Sequence, residues 1–243
     1  MKKYLVLMML LIPVVAFCTI EWPDDPVIIA LGASGMSEIP DSRFVLPDGT
    51  PYQERVGGGS YTSICEAMTM RGAQVACEAQ AGAYSFDTPV GEGYLTQLRD
   101  GLASTTWQGV RKSTAVIIDQ MNDCLANFVA PEPACDAAGM DAYINNRKAA
   151  VTLALQNNLK VVLGQFMPYE KLDLVRAFTP YGAQYIITAE EYAIMRAKDE
   201  AVFANRTDIE YVDAHEKLDT IDGIHGTFGS NMTSGKNYLK AAK

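Results

Sequence analysis

The stretch Pro26-Val-Ile-Ile-Ala-Leu31, followed by Gly32-Ala-Ser-Gly35, decides how this chain of 243 residues is expected to fold. Its apolar, β-branched run ends at a glycine and predicts a strand that is buried on both faces. Such strands belong to parallel sheets that helices cover on both sides. Ser34 then follows the carboxyl end of the first strand, at the edge where these sheets bind ligands.

Strand-like and helix-like segments alternate along the rest of the chain. Strands are expected at residues 73–80, 113–119, 160–164, 183–187 and 210–213. Helices are expected at residues 60–71, 94–109, 141–158 and 189–204. This alternation predicts an α/β fold, a flavodoxin-like three-layer α/β/α sandwich with a central parallel sheet of about five strands.

The N-terminal segment, residues 1–18, has the features of a signal peptide. A short basic start precedes the apolar run from Tyr4 to Phe17, which is short for a membrane span and typical of a signal-peptide core. Ala16 and Cys18 provide small residues at the −3 and −1 positions of a cleavage between Cys18 and Thr19. We therefore expect one domain over residues 19–243, secreted or periplasmic and not inserted in a membrane after cleavage. Lipidation at Cys18 is the alternative, which the bulky Phe17 disfavours.

Four cysteines lie beyond this segment, at Cys65, Cys77, Cys124 and Cys135. An even number of cysteines in an exported protein indicates disulfides, and four of them allow three connectivities. We favour the pairs Cys65–Cys77 and Cys124–Cys135, since each closes a short local loop. Free buried thiols are the alternative, and no Cys-x-x-Cys spacing indicates a metal site.

The charge balance restricts the class of partner. The formal net charge is −9, and it becomes −11 when the two lysines of the signal segment are removed. An acidic chain without a basic cluster is not expected to bind nucleic acid or an anionic membrane. Nothing in the sequence indicates an oligomeric state.

Polar residues and glycines follow the predicted strands. Gly82 comes after the second strand and Asn122 after the third, and Asp222-Gly-Ile-His225 lies near the C-terminus. Because parallel strands end at one edge, Ser34 and His225 are expected to meet there. The histidine would take the proton of the serine, and Asp222 would orient the histidine.

These residues, in the motifs Gly32-Ala-Ser-Gly35, Gly82, Gln120-Met-Asn-Asp123 and Asp222-Gly-Ile-His225, resemble the four blocks of the SGNH (GDSL-type) hydrolases. The resemblance implies a serine hydrolase that acts on ester bonds without a metal or organic cofactor. It assigns Ser34 as nucleophile, His225 as base and Asp222 as its orienting partner. It assigns the oxyanion hole to the backbone N–H groups of Ser34 and Gly82 and the side-chain amide of Asn122.

The chain departs from the family pattern at two positions. Ala33 stands where the family has an aspartate before the serine, and Gln120 stands where it has a glycine. Neither change removes a catalytic group, but both indicate a divergent branch. Taken singly, the motifs also have structural interpretations: Ser34 as a helix cap and Gly82 as a turn glycine.

Two further polar residues are not assigned to the catalytic group. Asp123 is best interpreted as a helix cap after the third strand. His215, the other of the two histidines in the chain, is expected to be structural or exposed. The Pro- and Gly-rich segment 38–59 is expected to border the site, with Phe44, Tyr52 and Arg55 as candidates for substrate contact.

The sequence therefore predicts a secreted serine esterase for small acyl or O-acetyl esters, either small molecules or esters linked to polysaccharide. A lipase-like or thioesterase-like enzyme for longer acyl chains is one alternative. An exported binding or structural protein that keeps the fold without turnover is another. A nucleotide-binding domain is disfavoured, because Gly32-Ala-Ser-Gly35 is too short for a P-loop and lacks its lysine.

Overall fold

A five-stranded parallel sheet lies at the centre of this computed structural model, which describes residues 27–36, 62–89, 91–107 and 114–243. The strands in chain order are β1 Val27–Leu31, β2 Gln74–Cys77, β3 Ala115–Ile118, β4 Ala126–Asn127, β5 Lys160–Gly164, β6 Tyr185–Ile186 and β7 Glu210–Val212. The order across the sheet is β2-β1-β3-β5-β7, and every neighbouring pair is parallel. The predicted signal peptide and the predicted substrate-contact segment lie outside the described residues.

Helices cover both faces of this sheet. The α-helices of the described residues are α1 Ile64–Thr69, α2 Tyr94–Trp107, α3 Ala137–Gln156, α4 Leu174–Phe178, α5 Ala189–Phe203 and α6 Phe228–Ala242. Helices α1 and α6 pack on one face, whereas α2, α3 and α5 pack on the other. The predicted three-layer α/β/α sandwich is thus confirmed.

The first strand shows why its sequence suits this arrangement. Ile29 and Leu31 contribute to the apolar cluster beneath α2 and α3, and Ile28 and Ala30 contribute to the cluster beneath α1 and α6. All five residues of β1 are buried. A continuous apolar run is needed because successive side chains of a strand point to opposite faces and both faces are covered here.

Two expectations about the elements need correction, and one helix was not anticipated. Helix α3 begins at Ala137 rather than at residue 141, because the side chain of Asp136 caps it by accepting a hydrogen bond from the Gly139 N–H group at 2.8 Å. The strand expected at residues 183–187 is not part of the parallel sheet, since β6 pairs antiparallel with β4. Helix α6 was not predicted.

Both favoured disulfides are present. Cys65–Cys77 joins α1 to the end of β2, and Cys124–Cys135 joins the segment after β3 to the residues before α3. Disulfides are typical of proteins in oxidising compartments. Within the described ranges, no helix has the length and apolarity that crossing a membrane requires.

Candidate active site

Ser34 lies in a tight turn directly after β1 and is half-buried. The Met36 N–H group donates to the Ala33 carbonyl at 3.1 Å, which closes the turn around the serine. The N–H groups at the start of α1 then donate to the same segment, that of Ile64 to the Gly35 carbonyl at 3.2 Å. The hydroxyl is therefore presented at the carboxyl edge of the sheet by backbone that is anchored on both sides.

The loop between β7 and α6 brings His225 to this serine across 191 positions of the chain. His225 Nε2 lies 2.6 Å from Ser34 Oγ, and His225 Nδ1 lies 2.6 Å from Asp222 Oδ2. The other carboxylate oxygen of Asp222 accepts the N–H groups of Ile224 at 3.1 Å and His225 at 2.8 Å. One carboxylate thus fixes both the backbone and the ring of the histidine.

Gly223 allows this loop its conformation. Its φ angle is 105°, a region that favours glycine. A Cβ atom at this position would collide with the carbonyl oxygen of Asp173, whose N–H group donates to the Gly223 carbonyl at 2.8 Å. The glycine between Asp222 and His225 is therefore a requirement of the loop that carries them.

The charge state of Asp222 sets the tautomer of the histidine. Burial disfavours its charged form, but hydrogen bonds from the ring and backbone of His225 outweigh burial and hold the pKa of Asp222 well below its ordinary range. An ionised carboxylate only accepts hydrogen bonds, so His225 Nδ1 carries the hydrogen. In the neutral imidazole Nε2 is then the nitrogen without a hydrogen, and it faces Ser34, which is the arrangement needed to remove the hydroxyl proton.

A small cavity opens beside Ser34. Its volume is about 20 Å³, enough for one water-sized group. Its polar lining comes from Ser34, Asp119, Gln120, Asn122 and His225, and its apolar lining includes Met36, Leu125 and Met167. The lining residues are Ala33, Ser34, Gly35, Met36, Asp119, Gln120, Met121, Asn122, Leu125, Met167, Ile224 and His225.

Asn122 lines this cavity, whereas Gly82 lies in the neighbouring turn after β2 and is not among the described residues that line it. The φ angle of Gly82 is 79°, as a tight turn with glycine allows. The backbone N–H and side-chain amide of Asn122 donate to the Ala83 carbonyl at 3.2 and 3.1 Å. The amide group has a second hydrogen, so Asn122 can link the segment after β3 to the turn after β2 and still donate to a ligand.

Asp123 is not a helix cap, contrary to the sequence-based interpretation. Its carboxylate accepts the Ser85 hydroxyl at 2.6 Å and the Ser85 N–H at 2.7 Å, and Asn146 donates to the same hydroxyl at 2.9 Å. Burial raises the pKa of Asp123 despite these donors. The residue next to Asn122 therefore anchors the segment that follows Gly82.

The two departures from the family pattern have defined surroundings. Ala33 is buried in the apolar cluster on the α2 and α3 side of the sheet, where a carboxylate would be desolvated. Gln120 lines the cavity, and its side-chain oxygen accepts the Met167 N–H and the Tyr192 hydroxyl, both at 3.2 Å. Two hydrogen bonds thus hold the bulky amide in the lining of the cavity.

His215, which was expected to be either structural or exposed, is buried. Its Nε2 lies 3.2 Å from Asp119 Oδ1, and Tyr238 donates to the same oxygen at 2.8 Å. Burial alone would lower the pKa of His215, but Asp119 outweighs it and raises that pKa. Burial alone would raise the pKa of Asp119, but His215 and Tyr238 outweigh it and lower that pKa.

We expect His215→Ala to lower the free energy of unfolding by about 3 kcal/mol near pH ~6, because Asp119 would stay buried without its cation. The raised pKa of His215 means that its contribution is complete below about pH 6.5 and is lost as the pH rises through the folded pKa. The lowered pKa of Asp119 means that its share is lost only in acid. Urea denaturation near pH ~6 and ~9 measures the difference.

Tyr238→Phe is the control for this pair, because it removes an uncharged donor to the same carboxylate oxygen. Its cost is not expected to shrink toward alkaline pH. If His215→Ala cost the same free energy at both pH values, the ionic interpretation of the His215–Asp119 contact would be wrong.

Two supporting side chains were missed by the sequence analysis. Ser85 gives no local signal, because its partner Asp123 is 38 positions away. Gln97 does give a signal in the sequence. It is a polar residue on the helix face that Tyr94, Leu98 and Gly101 form, and all four residues are buried. A glutamine within an apolar helix face needs buried partners.

Metal ligands are grouped nowhere in the described part of the chain: no three His, Cys, Asp or Glu side chains there are arranged to hold an ion. What the site brings together is a serine, a histidine and a carboxylate in one hydrogen-bonded line. Such a line can move a proton from the hydroxyl to the imidazole.

Several solved structures have a similar fold. A carbohydrate acetylesterase from Sinorhizobium meliloti superposes with a TM-score of 0.57 at 18% identity, covering 89% of this chain and 97% of that one. A GDSL-like lipase from Bacteroides thetaiotaomicron gives 0.53 at 15% identity, covering 89% and 87%. An aryl esterase from M. smegmatis gives 0.52 at 18% identity, covering 88% and 97%.

No protein-family model matches the chain. No curated protein matches it either. Sequence identity to these structures is thus low, while the arrangement of strands and helices is shared. The chain has the fold of the SGNH (GDSL-type) hydrolases.

Proposed function

We propose that this protein is an exported serine esterase that hydrolyses small acyl esters through an acyl-serine intermediate. The observation that carries the proposal is the line of contacts from Ser34 through His225 to Asp222, with 2.6 Å at each side-chain step. A packing role alone would not require an imidazole nitrogen to face a serine hydroxyl at the ligand-binding edge of the sheet.

The reaction follows from these atoms. His225 Nε2 takes the proton of Ser34 while Oγ bonds to the ester carbonyl carbon. The tetrahedral intermediate collapses as the bond from carbon to the alcohol oxygen breaks, and His225 returns the proton to the leaving alcohol. Water then repeats the sequence on the acyl-serine, which releases the acid and restores Ser34.

The developing oxyanion needs donors that are already in place. The backbone N–H groups of Ser34 and Gly82 and the second amide hydrogen of Asn122 are proposed to supply them. Asn122 and Asp123 hold the turn and the segment around Gly82 through Ala83 and Ser85. One such donor is typically worth roughly 100- to 1000-fold in rate.

The cavity favours a short acyl group. A space of about 20 Å³, whose lining includes the apolar side chains of Met36, Leu125 and Met167, accommodates a methyl-sized group, as in an acetyl ester. The fold is also shared with a carbohydrate acetylesterase, which is consistent with O-acetyl groups on polysaccharide as substrates. Export is supported by the two disulfides and the signal-like N-terminus.

The proposal is tested with the purified mature protein, a fluorophosphonate probe and two p-nitrophenyl esters. We expect labelling at Ser34, located by peptide mass spectrometry. We expect kcat/KM for the acetate to exceed that for the octanoate by roughly tenfold or more, because a longer chain does not fit the cavity. Met167→Ala, which opens the apolar wall, should shift the ratio toward octanoate.

Each alternative has its own outcome in this experiment. Faster octanoate hydrolysis by the wild type would favour the lipase-like or thioesterase-like enzyme. A folded wild type that is neither labelled nor active on either ester would favour the non-catalytic binding protein.

A further inference from the structure

Gln97 is a fully buried glutamine in α2 whose side chain pairs with the backbone just before the serine turn. The Gly32 N–H group donates to Gln97 Oε1 at 3.0 Å, and Gln97 Nε2 donates to the Gly32 carbonyl at 3.2 Å. The amide thus binds both polar groups of one residue, as a neighbouring strand would. Gly32 follows directly from β1 and precedes Ser34 by two positions.

The same amide also reaches a second segment. Gln97 Nε2 donates to the Glu92 carbonyl at 2.8 Å. Glu92 in turn pairs twice with the side chain of Gln80: its N–H group donates to Oε1 at 3.1 Å, and its carboxylate accepts from Nε2 at 2.6 Å. Gln80 is the residue that begins the turn containing Gly82.

The ring of hydrogen bonds closes on the backbone. The Gln80 N–H group donates to the Gly32 carbonyl at 3.2 Å, the same oxygen that Gln97 binds. Gly32, Gln97, Glu92 and Gln80 therefore form one cycle that links the end of β1 to the end of β2. These are the ends that lead to Ser34 and to Gly82.

We propose that Gln97 is a positioning residue that holds the Ser34 turn and the Gly82 turn in fixed relation. The inference rests on the proposed function, in which these two turns supply the nucleophile and two oxyanion donors. An apolar side chain at position 97 would satisfy packing but leave the Gly32 N–H group without this acceptor in the interior. With Ala33 lacking a polar side chain, Gln97 supplies a side-chain anchor for the serine turn from a different element.

The test compares Gln97→Leu, Gln80→Ala and a control, Tyr211→Phe. Tyr211→Phe removes the hydrogen bond that Tyr211 donates to Asp199 at 2.8 Å, on a strand that carries no proposed catalytic residue. With p-nitrophenyl acetate we expect Gln97→Leu to lower kcat about 100-fold, as displaced catalytic groups do, with KM nearly unchanged. Tyr211→Phe should keep the kcat of the wild type.

Amide hydrogen exchange reports on the stability of the two turns and does not depend on ester hydrolysis. We expect faster amide exchange in Gln97→Leu within residues 27–36 and 79–86 and no change in either segment in Tyr211→Phe. Gln80→Ala changes a partly buried side chain that is not needed for packing of the core. We expect Gln80→Ala to speed exchange in residues 79–86 and to lower kcat less than Gln97→Leu does. If Gln97→Leu does not fold, the exchange and kcat of Gln80→Ala test the inference.

Two results would overturn the inference: a lower melting temperature of Gln97→Leu with unchanged kcat and unchanged exchange, or an equal loss of kcat in Tyr211→Phe. A wild type without ester turnover would count against the proposed function instead. Exchange in residues 27–36 and 79–86 would then decide the role of Gln97 by itself.

Discussion

Ser34→Ala is expected to abolish covalent labelling and to lower kcat for p-nitrophenyl acetate by roughly a million-fold. The hydroxyl that faces His225 Nε2 at 2.6 Å is the atom that bonds to the acyl carbon in the proposed reaction. Alanine leaves the histidine and the oxyanion donors without a nucleophile. Stopped assays with high enzyme concentration and intact-mass measurement of the probe adduct quantify both losses.

Ser234→Ala is the matched control for Ser34→Ala. Ser234 is another serine beside a histidine, with its Oγ 3.4 Å from His215 Nδ1, but both residues are buried, and the other ring nitrogen of His215 faces Asp119. We expect labelling and kcat to persist in Ser234→Ala. Turnover that survives in Ser34→Ala, or labelling that persists there at the wild-type rate, would contradict the assignment of the nucleophile.

The sequence predicted the edge of the sheet at which the candidate site lies. The reason is geometric, because parallel strands that end in short motifs deliver those motifs to one side. Ser34 after β1 and Asn122 after β3 line one cavity, and the loop after β7 brings His225 to the same place. The apolar runs of β1 and β3 were unambiguous because both faces of each strand are buried.

Helix α6 shows where local pattern fails. Its sequence contains glycines and β-hydroxyl residues that have low helix propensity, so it was not predicted. Tertiary packing overrides that preference: a Cβ atom at Gly235 would lie 3.1 Å from the Cβ of Ala67 in α1. The small residue that weakens the helix locally is what allows α1 and α6 to approach closely.

The supporting hydrogen bonds could not be read from the sequence for a different reason. Gln97 lies 65 positions from Gly32, and Asp123 lies 38 positions from Ser85. Such pairs have no period and no fixed spacing, so their partners appear only when the strands are placed. A buried polar residue signals that a partner exists but does not identify it.

Asp222→Asn is expected to lower kcat about 10,000-fold while leaving the loop in place. In the wild type, Asp222 Oδ1 accepts two backbone N–H groups and Oδ2 faces His225 Nδ1. An asparagine would keep its carbonyl oxygen toward the N–H groups of Ile224 and His225, because they need an acceptor. Its NH₂ group would then face Nδ1 and force the hydrogen onto Nε2, which could no longer accept the proton of Ser34. Esterase kinetics measure the loss, and ¹⁵N chemical shifts of the imidazole report the tautomer.

Asp219→Asn makes the same change of charge three positions earlier in the loop, at an exposed residue, and should leave kcat near that of the wild type. The comparison separates tautomer control from general electrostatics. If Asp222→Asn lost activity while Nδ1 remained protonated, the loss would have to come from the charge of the carboxylate. If both variants lost activity equally, the negative charge of the loop rather than the hydrogen bond between Asp222 and His225 would be responsible. Only a loss confined to Asp222→Asn, together with a hydrogen moved to Nε2, supports a carboxylate that acts by fixing the tautomer of the base.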